Sequence, residues 1–245
     1  LGTVPAGREP FRAAASGDGH RLFVANRIPA QPATADHVAA AVEVIDVKRL
    51  ARTKPVPLPD GSSGVNGLAL SPDGKYLFVT HTVGHHRMPT TQLERGWMNA
   101  NALSVIDARR AARLGTVLLD DTTLGAANPW GVAATADGRF LAVTHAGTHE
   151  LSRIPLPALI QLVDGGTSPS SGGAPGSQTS AEGYAAEHDL TAMQRIGRAR
   201  IPLHGEGPRA LAVAGDLAIA CEYFGGQLAL VDLAEPDAKR IRPRP

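Results

Sequence analysis

One fifteen-residue phrase, Gly-Leu-Ala-Leu-Ser-Pro-Asp-Gly-Lys-Tyr-Leu-Phe-Val-Thr-His at residues 67 to 81, is written four times in this chain with variation. The copies open at Arg12, Gly67, Gly131 and Ala210, and each leads to a second phrase like the Leu-Ser-Val-Ile-Asp of 103–107. A chain that repeats one short unit along its length folds by stacking copies of that unit, so the repeat constrains the architecture before any single residue does. Within each copy, short runs rich in Val, Ile, Leu and Phe are separated by turn residues, which is the pattern of strands joined by tight turns. The first two runs are split by Ser16-Gly17-Asp18-Gly19, Ser71-Pro72-Asp73-Gly74 and Thr135-Ala136-Asp137-Gly138, and the turn contracts to Gly215-Asp216 in the last copy. Asp-Gly predicts a hairpin because glycine accepts the positive φ such turns need.

Four strands per unit, with Asp18, Asp73 and Asp137 spaced 55 and 64 residues apart, predict the blades of an all-β propeller lengthened by insertions. The expected blades are 8–60, 61–121, 122–203 and 204–245, with a B-to-C loop insertion at 82–101 and a low-complexity insertion at 157–195. Residues 1–7 read as the outer strand of a preceding blade, which makes the chain a fragment of a larger propeller of about seven blades. Flanking the low-complexity stretch, 156–163 and 187–194 read as short helices, with Pro157 where a helix start tolerates it.

The strings Leu-Phe-Val-Ala-Asn (22–26), Leu-Phe-Val-Thr-His (77–81) and Leu-Ala-Val-Thr-His (141–145) resemble the YVTN family of β-propellers. That resemblance implies strands ordered A to D from the channel outward, so the D-to-A and B-to-C loops share one face.

A net charge of +1 implies no polyanion partner, and no apolar stretch approaches membrane-span length, which excludes nucleic-acid binding and a membrane span from the expected roles. The lone Cys221 excludes an internal disulfide and a Cys-x-x-Cys-His haem attachment within these residues, and its place in a strand predicts a small buried packing residue.

Aligned B strands end on Asn26, His81, His145 and Glu222, which places these four residues at equivalent positions on the B-to-C face. Two blades continue alike, with His85 and His86 following His81 and with His149 following His145. Imidazoles beside a carboxylate suit copper or zinc, so His81, His85, His145 and His149 are the candidate metal ligands. The competing reading has these side chains bonded to neighbouring D-to-A loops. Arg12, Asn66, Trp97, Trp130 and Arg209 are further candidates on that face for a ligand or partner, with Arg209 read either as an anion clamp or as an ion pair with Glu206 or Glu222.

Longer strings, Pro-Thr-Thr-Gln-Leu-Glu-Arg-Gly-Trp-Met-Asn (89–99), Ala-Asn-Pro-Trp-Gly-Val-Ala (127–133) and Thr-His-Ala-Gly-Thr-His-Glu-Leu-Ser (144–152), look like bacterial cell-surface YVTN propellers. Gly207-Pro208-Arg209 and Glu222-Tyr223-Phe224 extend the match. In that group the propeller commonly precedes a c-type cytochrome region related to the dihaem peroxidases and MauG. The resemblance implies a periplasmic or cell-surface redox protein, with c-type haem held by an associated domain or partner and further blades supplied from elsewhere. The expected role of the chain alone is non-catalytic binding, with its His-rich face toward the cytochrome domain. The alternative is a metal-dependent propeller enzyme, copper-reductase-like or lactonase-like.

Overall fold

In the computed structural model, which describes residues 2–85, 98–164 and 188–235, four antiparallel sheets follow one another in a propeller arrangement. The first holds β1 (Pro10–Ala15), β2 (Arg21–Asn26) and β3 (Ala41–Asp46), its outer edge split into β4 (Ala51–Arg52) and β5 (Val56–Pro57). The second holds β6 (Ser62–Leu70), β7 (Tyr76–Gly84), β8 (Asn99–Asp107) and β9 (Ala112–Leu118). The third is β10 (Pro129–Ala134), β11 (Phe140–His145), β12 (Glu150–Pro155) and β13 (Ala199–Pro202). In the fourth, β14 (Pro208–Ala214), β15 (Leu217–Glu222) and β16 (Gln227–Asp232) are described, and the end of the expected blade 204–245 lies outside the described residues.

The turns show why the repeat is written as it is. In blades 1 to 3 the hydroxyl of Ser16, Ser71 or Thr135 donates to the carboxylate of Asp18, Asp73 or Asp137, at 2.5, 2.6 and 2.7 Å. The same hydroxyl accepts the backbone N–H of Arg21, Tyr76 or Phe140, which closes the hairpin. Gly19, Gly74 and Gly138 each take a φ near 70°, the left-handed conformation that disfavours any other residue.

Alternation along each B strand builds the core between the sheets. Leu77 and Val79 of β7 face blade 1, packing with Phe23, Val42 and Val44, while Phe78 faces blade 3 among Leu141, Val143 and Ile154. Phe140 and Ala142 repeat this toward blade 4, with Ala218 and Leu233. Each large side chain buried in this way contributes roughly 1.5–3 kcal/mol. Helix α1 (Leu156–Asp164) buries Leu159 and Val163 over β9, and a single-turn α2 (Ala192–Arg195) sets Met193 beside them.

Several details differ from the sequence expectations. The insertion at 82–101 begins and ends as strand, because Thr82, Val83 and Gly84 keep register with Asn101, Ala100 and Asn99. Residues 2–7 form no strand. Cys221 is exposed rather than buried. Its equivalents Thr80 and Thr144 are covered by the next blade, and no described sheet packs on that side of blade 4.

The inner strands β1, β6, β10 and β14 pack one against the next. Gly67 and Gly131 permit this approach: a Cβ at Gly67 would lie 2.1 Å from the Trp130 carbonyl oxygen, and one at Gly131 would lie 2.6 Å from that of Arg209. Gly17 has nothing within 4 Å, and blades 2 and 3 carry Pro72 and Ala136 at that turn position. Gly67→Ala is therefore expected to cost about 1–3 kcal/mol through overpacking. In thermal denaturation followed by circular dichroism it should lower Tm by roughly 2–12 °C, whereas Gly17→Ala should leave Tm within about 1 °C of the parent.

Candidate functional site

Register places Phe11, Asn66, Trp130 and Arg209 at one equivalent position, each on an inner strand just after Pro10, Val65, Pro129 or Pro208. The pairing with the B strand is interrupted at that point in all four blades, between Pro10 and Arg12, Ser63 and Gly67, Pro129 and Val132, and Pro208 and Leu211. A bulge of this kind twists the strand and re-aims the side chain it carries. Asn66, Trp130 and Arg209 are then fixed by the blade before each of them. The Thr80 hydroxyl donates to the Trp130 carbonyl at 2.8 Å, and Thr144 donates to that of Arg209 at 3.0 Å. Blade 1 has Ala25 where blades 2 and 3 have threonine, and there the Arg12 Nε donates to the Asn66 carbonyl at 3.2 Å instead.

These positions gather aromatic rings and guanidinium groups into one surface. Phe11 meets Trp130 edge to face, with centroids 5.8 Å apart. Arg12 and Arg27 lie 4.7 and 4.9 Å from the Phe11 centroid. Arg209 is shared by three rings, at 4.7 Å from Trp130, 4.0 Å from Tyr223 and 5.3 Å from Phe224. Trp130 is half-buried and its Nε1 donates to Asn128 Oδ1, but Phe11 is 36% exposed, Tyr223 62% and Phe224 64%. Arg209 makes no ion pair with Glu206 or Glu222 among the described residues. Glu222 is buried and accepts the Gly205 N–H at 2.7 Å.

The histidines are arranged differently. His81 and His145 are fully buried. The His145 Nδ1 donates to the Ala126 carbonyl at 3.0 Å, tying the strand end to the D-to-A loop, and its Nε2 accepts from the Ser152 hydroxyl at 2.8 Å. His81 repeats the second bond with Ser104, which is itself bonded to Thr116, and its Nδ1 faces the Thr82 carbonyl at 3.3 Å. Both rings are neutral: burial pushes each pKa from 6.5 down to about 4. With both ring nitrogens engaged, neither residue offers a lone pair to a metal.

His149 takes a left-handed backbone, φ 55°, and its Nδ1 accepts the Gly207 N–H, joining blade 3 to the opening of blade 4. His85 sits beside His188, with ring centroids 6.5 Å apart. Asn26 is buried with its Nδ2 on the Ala41 carbonyl, and Asn66 reaches the Pro129 carbonyl and Asn128. The structure thus brings Arg12, Asn66, Trp130 and Arg209 together and does not gather His81, His85, His145 and His149 into one cluster; among the described residues no group of three or more His, Cys, Asp or Glu is placed to hold a metal ion. His86 and Trp97 lie outside the described residues. Sequence reasoning passed over Phe11, Arg27, Tyr223 and Phe224 as site residues. The signal for Phe11 was its alignment with Trp130, one position before the residue from which the repeats were counted.

No family model matches the chain. It is 25% identical over 175 residues to hydrazine synthase subunit beta of Kuenenia stuttgartiensis, a match that spans 71% of this chain and 42% of that protein. Among solved structures, Kuenenia stuttgartiensis hydrazine synthase superposes with a TM-score of 0.74 at 23% identity, over 91% of this chain and 58% of the other. Dihydro-heme d1 dehydrogenase NirN in complex with DHE gives 0.55 at 14% identity, over 97% of this chain and 37% of the other. The chain therefore spans well under two thirds of the length of these relatives, and the structural likenesses establish a shared propeller fold.

The buried histidines make stability depend on pH in a defined direction. Their folded pKa of about 4 lies below the unfolded 6.5, so the unfolded state binds more protons between those values. The contribution is complete above pH 6.5 and is lost as pH falls toward 4. At pH 5 each histidine accounts for a loss of about 2 kcal/mol. Urea denaturation at pH 7.5 and 5.0 should show this loss in the parent, and His81→Gln/His145→Gln, though less stable at pH 7.5, should show a markedly smaller difference between the two pH values.

Proposed function

We propose that this chain is the non-catalytic binding propeller of an extracytoplasmic redox protein, and that its B-to-C face docks a c-type cytochrome domain of the MauG-like kind. The observation that carries the reading is the Phe11, Trp130, Tyr223 and Phe224 surface with its three arginines. Exposed aromatic and arginine side chains around a rigid centre are the residue types that dominate protein interfaces. The similarity to a hydrazine synthase subunit and to a haem d1 dehydrogenase, both redox proteins by name, supports placing it in such an assembly. The YVTN-like strings at 127–133 and 144–152 support the cytochrome association and the periplasmic or cell-surface location. Further blades beside this arc belong to the same reading, supported by the exposed Cys221 and Leu228 of blade 4.

The reading assigns the histidines to holding blades in shape and assigns contact to the rings and guanidinium groups. No helix among the described residues is long and apolar enough to cross a membrane. Biolayer interferometry of the chain against a MauG-like dihaem c-type cytochrome from the same organism tests the proposal. Expected is saturable binding that Tyr223→Ser/Phe224→Ser weakens at least about tenfold, as loss of central interface aromatics does. Binding untouched by that double substitution, or no binding at all, overturns it.

A further inference from the structure

We infer that the Phe11–Trp130–Arg209 cluster is a binding site for a planar aromatic carboxylate. The inference rests on the reading of this face as the binding face, and it adds the chemistry of the occupant. Three guanidinium groups converge here from blades 1 and 4, each against a ring, and none is paired with a carboxylate among the described residues. Arg12 uses its Nε on the Asn66 carbonyl. Arg27 and Arg209 leave even their buried Nε atoms without a hydrogen-bond partner. The acids nearest in sequence are otherwise engaged or unbonded to them: Glu43 is held by Arg52, Glu222 takes the Gly205 N–H, and Glu9 and Glu206 form no ion pair with these arginines.

The rings determine which anion fits. Tyr223 and Phe224 stand at 87° to one another with centroids 5.1 Å apart, so a flat ligand meets the face of one and the edge of the other. A guanidinium group set against an aromatic ring keeps its charge and its N–H donors, which form the two-pronged bond that a carboxylate accepts. A spherical or strongly hydrated anion would use the charge and leave the ring surface unused.

Isothermal titration calorimetry of the chain alone separates these possibilities, with 2,6-naphthalenedicarboxylate as the probe and its dimethyl ester, succinate and inorganic phosphate as comparisons. The dicarboxylate should bind saturably at one site, and the ester, succinate and phosphate each at least about tenfold more weakly. Arg209→Gln should weaken the dicarboxylate about tenfold or more, and Arg27→Gln by several fold, in variants that circular dichroism shows to be folded at the temperature of the titration. Equal affinity for the ester would make the site a plain apolar patch, and equal affinity for phosphate or succinate would make it a general cation patch. Either result, no binding, or an unchanged Arg209→Gln variant overturns the inference. No cytochrome is present in this measurement, so its failure leaves the docking proposal standing, and failure of docking leaves this result standing.

Discussion

The hydrogen bond from the Thr80 hydroxyl to the Trp130 carbonyl, made over the bare Cα of Gly67, sets how closely one blade approaches the next. Thr144, Gly131 and the Arg209 carbonyl repeat it one blade later. The geometry of the binding face follows from this contact, because the residue whose carbonyl is held is the residue whose side chain projects at the bulge. Trp130 and Arg209 are therefore positioned through their own backbones by the preceding blade. That is a stiffer arrangement than a loop provides, and it explains how a half-exposed ring and a guanidinium group stay in register across three sheets.

The propeller architecture was legible because local chemistry and global fold agree at every repeat. The Ser/Thr-x-Asp-Gly turn needs only its own residues to close, so its sequence states its structure. The alternation of Leu77, Phe78 and Val79 likewise states that both faces of the sheet are covered. The candidate site was legible only in part. Aligning strand ends correctly placed Asn26, His81, His145 and Glu222 on equivalent positions, but equivalence says nothing about which way a strand-end side chain turns. His145 turns inward because Ser152 and the Ala126 carbonyl offer it two bonds across a strand and a loop, and no pattern of spacing reveals such partners. Phe11 was passed over for a different reason. Its role depends on Trp130 of blade 3 reaching it past Asn66 of blade 2, which is a contact of tertiary structure.

The two sets of repeated positions divide the work of the fold. At the strand end, imidazole, amide and carboxylate serve one purpose, satisfying polar groups of the backbone and neighbouring side chains where strand and loop meet. Neutral histidine does this well at neutral pH because it donates from one nitrogen and accepts at the other. Beside the bulge on the neighbouring strand, the Trp130 and Arg209 carbonyls are already held by the adjacent blade, so these two side chains can face the surface, whereas Asn66 stays buried on the Pro129 carbonyl. Variation there, between Phe11, Trp130 and Arg209, alters the surface without altering the sheets.

The treatment of arginine elsewhere in the molecule sharpens this division. Arg52 is held by Glu43, Arg198 by Asp121, Arg200 by both Asp121 and Glu150, and Arg139 by Asp137 and Asp216. Arg198 is almost wholly buried, and its partner is buried with it, as the cost of desolvating a guanidinium group requires. These four arginines are paired with acid, while Arg21 and Arg153 tie blades together through backbone carbonyls. At the aromatic face the chain sets Arg12, Arg27 and Arg209 on rings instead. A ring face stabilises a cation by about 0.5–2 kcal/mol without neutralising it, so the charge stays available to an incoming anion. Replacing that arrangement by salt bridges would neutralise the positive charge that Arg12, Arg27 and Arg209 hold beside exposed aromatic rings.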